Sequence, residues 1–172
     1  MPAMPARRVR RLMLIALGSA AIGSAPACTS VVADTSACRN LEYANGGVER
    51  AKYRPCAAEM MTVLDDLDRQ SKAALGGDAQ ARSEGQASLR RVMALMSAAG
   101  GRQLLERWPD RTLTDFNVTV SNAVTKYQAF YMIRILDAGS QFAKESRDAA
   151  SAEYDGASRR YEEAKRLLRR ID

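Results

Sequence analysis

Histidine is absent from all 172 residues of this chain. That removes Ser-His-Asp and Cys-His nucleophile activation, histidine-containing zinc sites and haem ligation by histidine. A Cys-x-x-Cys-His haem attachment is missing as well. No glycine-rich phosphate loop occurs: Gly46-Gly47, Gly76-Gly77 and Gly100-Gly101 are isolated pairs that suit helix stops. Aromatic residues make up only 6% of the chain, and none interleave with a basic patch, which argues against a nucleic-acid surface. No segment alternates as a strand would, and no proline follows Pro109. The apolar run Leu12–Ile22 is too short and too glycine-interrupted to span a bilayer. The expectation is an all-α protein that is not an enzyme and holds no cofactor or metal.

What is present begins with a targeting pattern. Arg7, Arg8, Arg10 and Arg11 form a positive stretch, Leu12–Ile22 an apolar core, and Ser24-Ala25-Pro26-Ala27 a small-residue approach to Cys28. Removing residues 1–27 leaves 22 of the 26 basic residues against 20 acidic ones, so the formal charge falls from +6 to +2. The high overall basicity is mostly a property of the leader. Ala25-Pro26-Ala27 has the A-x-A form of ordinary secretion. The approach to Cys28 also resembles the lipobox of bacterial lipoproteins, although leucine is usual where Ala25 stands. That resemblance implies lipidation of Cys28, a membrane anchor and a periplasm-facing position in the bacterial envelope. Thr29 after Cys28, rather than aspartate, implies the outer membrane. Three cysteines leave one thiol over. Lipidation of Cys28 leaves Cys38 and Cys56 to pair, closing a loop that stabilises by roughly 3 kcal/mol. A Cys28–Cys38 bridge would instead strand Cys56.

Residues 28–34 read as a tether and 35–142 as a helical base. Asp34 or Thr35 can cap a first short helix through Tyr43, pinned by the disulfide. Pro55 suits the first turn of a helix reaching Leu75, with Met60, Leu64, Leu67, Ser71 and Ala74 on one face. Asp65–Arg69 and Asp68–Lys72 form i,i+4 pairs on its wet side. Asp78 is a plausible cap for residues 79–99, which carry Leu89, Val92, Met93 and Met96 inward and are weakened at Gly85. Gln103–Trp108 suggests a helical turn ended by Pro109. Thr112 and Asp115 resemble a capping box opening the last third of the chain.

That third dominates the pattern. Leu113, Phe116, Val120, Val124, Tyr127, Tyr131, Ile135, Ala138 and Phe142 keep one helical face. Tyr154, Ala157, Tyr161, Ala164, Leu168 and Ile171 continue in strict 3,4 spacing, like a coiled-coil seam. Asp137-Ala138-Gly139-Ser140 could be a turn, giving a four-helix bundle. The register nevertheless crosses Gly139 in phase, which favours one helix roughly 85–90 Å long. The expected architecture is a helical bundle built on one long C-terminal helix, with 143–172 projecting as a coiled-coil-like arm.

The candidate partner-binding residues lie on that arm: Tyr154, Tyr161 and Leu168 on the seam, with Arg159, Arg166 and Arg170 beside it. They suit a protein partner or a second copy of the chain. The same arginines also complement the helix C-terminal dipole. Asp65, Asp66 and Asp68 could hold a hard cation, but their spread around a helix and nearby bases fit a solvated face better. Phe116, Tyr127, Phe130, Tyr131 and Phe142 could line a ligand groove and fit a core better. Met60, Met61, Met93 and Met96 are likewise better as gap-filling core than as a binding surface. Cys38, Val48-Glu49-Arg50-Ala51, Cys56 and Val63-Leu64-Asp65-Asp66-Leu67 are similar to a small exported bacterial helical family that includes lysozyme inhibitors. The cysteine spacing here is longer and a later cysteine is lacking; the resemblance implies protein–protein inhibition. Taken together, the residues suggest an exported, lipid-anchored binding or scaffolding component, with a soluble periplasmic inhibitor or small-ligand binder as the alternative.

Overall fold

The computed structural model describes residues 36–42, 47–100, 110–136 and 143–171. Every long element among them is a helix: α1 (Arg50–Leu75), α2 (Ala79–Ala98), α3 (Arg111–Leu136) and α4 (Ala143–Leu168). Each 26-residue helix is about 39 Å long. The Gly76-Gly77-Asp78 corner folds α2 back along α1, where Ser88 Oγ donates to Gln70 Oε1 at 2.8 Å. Gly77 takes φ +103° there, a conformation that side chains resist, and Asp78 caps α2 as expected by accepting from the Ala81 amide at 3.0 Å. Helices α1 and α3 run parallel across the bundle diagonal, since Tyr53 meets Asn117 at one end and Ser71 meets Tyr131 at the other. Helix α4 runs antiparallel to both. It pairs most extensively with α3, then α1, while α2 and α3 touch only sparingly.

The single long C-terminal helix is not what forms. Lys126 Nζ lies 2.9 Å from Glu153 Oε2, and the rings of Phe130 and Tyr154 are 6.2 Å apart. In one straight helix residues 126 and 153 would be about 40 Å apart. Folding back lets the two apolar stripes bury each other, whereas a projecting arm would leave its seam in water. The 143–172 stretch is thus no separate arm: Ala150, Ala157, Tyr161, Ala164 and Ile171 belong to the same core as α1 and α3. Gly139 and Phe142 lie outside the described residues, as does the Gln103–Trp108 turn.

Three local boundaries also differ from expectation. Helix α1 begins at Arg50, before Pro55, whose missing amide would have bonded the carbonyl of the exposed Ala51, where water can substitute. Burial of Tyr53, Cys56 and Ala57 holds this extra turn and a half. Residues 36–42 form a turn rather than a short helix. The Cys38–Cys56 disulfide ties it to α1, Glu59 accepts from both Ser36 Oγ at 2.8 Å and the Ala37 amide at 3.2 Å, and Ser36 Oγ accepts the Cys38 amide. Side-chain bonds of this kind compete directly with a helical nucleus. Helix α3 is capped by Asp110, which accepts the Thr112 amide at 2.9 Å, so the Thr112–Asp115 capping box does not form.

The core is otherwise close to the apolar face expected of each helix. Met60, Met61, Leu64, Leu67, Val92, Leu95, Leu113, Phe116, Val120 and Phe130 are buried. Each such side chain contributes roughly 1.5–3 kcal/mol by leaving water. Met93 is the exception, 42% exposed instead of inward, because α2 rotates Leu89, Val92 and Leu95 toward α1.

Candidate functional site

The interior of the bundle is crossed by tyrosine hydroxyls. Tyr53 donates to Asn117 Oδ1 and Tyr127 to Asp68 Oδ1, the latter at 2.6 Å. Tyr161 donates to Asp65, and Tyr154 reaches Asp68 and its neighbour Ser158. Ser71 Oγ gives its proton to the Leu67 carbonyl at 2.7 Å, so Tyr131, 3.0 Å away, is the donor to Ser71. All five tie α1 to α3 or α4. Burial pushes the Tyr127 phenol far above its ordinary value, reinforced by the bond to Asp68. Burial also raises Tyr131 and Tyr154, and it lifts Tyr161, with help from Asp65, to about 12. These phenols stay protonated and act as fixed donors.

That layer accounts for the two expected roles of α1's acidic run and α4's seam at once. Asp65 and Asp68 are not salt-paired with Arg69 and Lys72 as expected. They accept from tyrosines on facing helices, and Asp65 also lies 3.8 Å from Lys165, whose ammonium stands 4.4 Å over the Tyr161 ring. Arg69 pairs instead with Asp66. The sequence carried one signal of this: Asp68 sits inside the apolar arc of α1, between Leu64 and Ser71, where an aspartate requires a partner. Nothing in the sequence said that the partner was Tyr127, 59 positions away. Among the described residues no group of three or more cysteine or carboxylate side chains converges as metal ligands.

The seam residues proposed to meet a partner are used inside the chain. Tyr161 is 6% exposed, Tyr154 packs its ring on Phe130, and Leu168 is half-buried against the core. The arginines beside them do face outward. Where α3 and α4 meet, an open groove of about 940 Å³ carries Lys126, Arg159, Arg160 and Arg166 interspersed with Asp155, Glu162 and Glu163, beside Thr125 and over a floor that includes Tyr154. Its rim is held by the Lys126–Glu153 and Arg160–Glu163 pairs, the latter at 2.7 Å. Arg159 and Arg166 make no ion pair among the described residues, so their guanidinium donors remain available to an acceptor from outside. Arg170 lies at the end of the bundle. There its carbonyl accepts from Arg50, which also grips both carboxylate oxygens of Asp110 and the Thr112 hydroxyl. Arg50 holds the Asp110 carboxyl below its ordinary value, reinforcing the α3 cap. Cys28 lies outside the described residues; Cys38 and Cys56 are bonded.

No family model, curated protein or solved structure was found to match the chain. Fold and surface define a class only: an all-helical, disulfide-tied bundle with an open outer groove of mixed charge. No described helix is long and apolar enough to cross a membrane.

Proposed function

We propose that this chain is an exported, lipid-anchored envelope protein that acts as a non-catalytic binding or scaffolding component. Cys28 carries the lipid and anchors the protein at the periplasmic face of the outer membrane. The α3–α4 groove takes an acidic segment of a protein partner. The observation that carries the binding reading is the pair Arg159 and Arg166, two turns apart on one helical face and making no ion pair among the described residues. Two unpaired guanidinium groups over an open polar groove suit bidentate contact with carboxylates. Self-association through the Tyr154–Tyr161–Leu168 seam is not part of this proposal, since the bundle already occupies that face. A small-ligand site on Tyr127 and Tyr131 loses its footing for the same reason: both rings are buried and both hydroxyls are engaged.

Two measurements test the reading. Intact mass of the mature protein from a membrane fraction should show an acyl adduct on Cys28 and a gain of about 2 Da on reduction, one disulfide's worth. A soluble species without lipid would remove the anchor and leave a diffusible inhibitor or binder. A photo-cross-linker at Thr125 in cells should give a discrete protein adduct that Arg159→Glu with Arg166→Glu abolishes. An adduct indifferent to both substitutions sinks the groove.

A further inference from the structure

We infer that the bundle stands on its anchor with one particular end toward the membrane, and that this end binds anionic lipid headgroups directly. This orientation rests on the lipid-anchor reading above. The end in question gathers the start of α1, the start of α3 and the end of α4, drawn together by Arg50 on Asp110 and on the Arg170 carbonyl. Around that clamp, Arg111, Arg169 and Arg170 make no ion pair among the described residues. The carboxylates at this end are partly neutralised, since Arg50 takes Asp110 and Lys52 lies 3.6 Å from Glu42; Glu49 and Asp115 remain against the arginines. The opposite end carries Asp78, Glu84, Glu145 and Asp148 against Lys72, Arg82, Lys144 and Arg147, a balanced set that gives an anionic surface no net attraction.

Chain length points the same way. Ser36 and Ala37 are fixed on Glu59, about 14 Å along α1 from Arg50 and about 24 Å from Leu75. From Cys28 to Ser36 the chain reaches at most about 26–29 Å fully extended. An anchor at Cys28 therefore meets the arginine end with slack, and the opposite end only when stretched nearly straight, which costs chain entropy. Upright on the arginine end, the bundle presents the α3–α4 groove sideways, clear of the lipid surface.

The test removes the lipid so that the protein surface acts alone. The exported Cys28→Ser chain, with leader removal checked by mass, is floated with vesicles of phosphatidylcholine containing 30% phosphatidylglycerol, or of phosphatidylcholine alone, at low salt. Binding is expected only with phosphatidylglycerol and is lost at high salt. Arg111→Ala, Arg169→Ala and Arg170→Ala together should weaken partitioning about fivefold per arginine, with an unchanged melting curve. Lys144→Ala with Arg147→Ala at the far end should change nothing. Absent binding, equal binding to both vesicles, or an equal loss from the far-end pair overturns the orientation. The lipid anchor itself is judged separately by intact mass, so either can fail without the other.

Discussion

Replacing Gly85 with alanine sets two effects against each other. In the interior of α2 the substitution should stabilise by about 1 kcal/mol, because alanine loses less conformational freedom than glycine. Across the gap, however, a Cβ on Gly85 would stand 1.7 Å from Tyr131 Oη, 2.6 Å from its Cζ and 3.3 Å from Cε1. Carbon contacts settle at roughly 3.5–4.0 Å. The Tyr131 ring is only 2% exposed and packed edge-on against Phe130 at 4.9 Å, so it has nowhere to swing. Overpacking of this kind costs about 1–3 kcal/mol. Pulling the buried hydroxyl off Ser71 adds a further penalty of about 1–3 kcal/mol. The net expectation is a loss of about 3 kcal/mol, read from urea unfolding of the oxidised chain by helical circular dichroism. Tyr131→Phe alone should cost about 1 kcal/mol, the worth of one hydrogen bond. Combined with Gly85→Ala it should recover part of the loss, because the closest clash disappears; the coupling should be about 1–2 kcal/mol. A stabilised Gly85→Ala chain, additive with Tyr131→Phe, would refute the contact between α2 and α3.

Three further outcomes follow from other parts of the bundle. Cys38→Ser with Cys56→Ser should lower stability by about 3 kcal/mol in the same urea assay with helical signal intact, and reductant should match it. The tyrosine layer should make the fold alkali-sensitive. Tyr127 and Tyr161 have folded values above the ordinary phenol value of 10.0, so their contribution is complete below about pH 10; that of Tyr161 is lost as pH rises through about 12, and that of the more deeply buried Tyr127 keeps falling at still higher pH. Phenolate absorbance should therefore rise together with loss of helix; full titration of a still-folded chain near pH 11 would contradict the layer. Asp110→Ala should cost about 1 kcal/mol through the α3 cap, whereas Asp115→Ala should stay within about 0.5 kcal/mol. Equal effects at the two positions would restore the capping box.

Periodicity alone was enough for the helices and their buried faces. Leu64, Leu67, Phe116, Val120 and Tyr127 recur at helical spacing, and solvation of apolar side chains forces such faces inward whatever the topology. The Gly76-Gly77 stop, the Asp78 cap and the Cys38–Cys56 pairing were equally local, resting on backbone conformation, one side-chain acceptor and a count of thiols. The fold of α4 back on α3 was not local. An in-phase stripe is the same pattern whether a helix continues or doubles back, and only the burial gained by pairing both stripes distinguishes the two. The roles of Asp65, Asp68 and Tyr161 follow from that choice. Once α4 lies against α1, the seam that looked ready for a partner becomes core, the acidic run becomes its acceptors, and the arginines on the opposite face are left exposed.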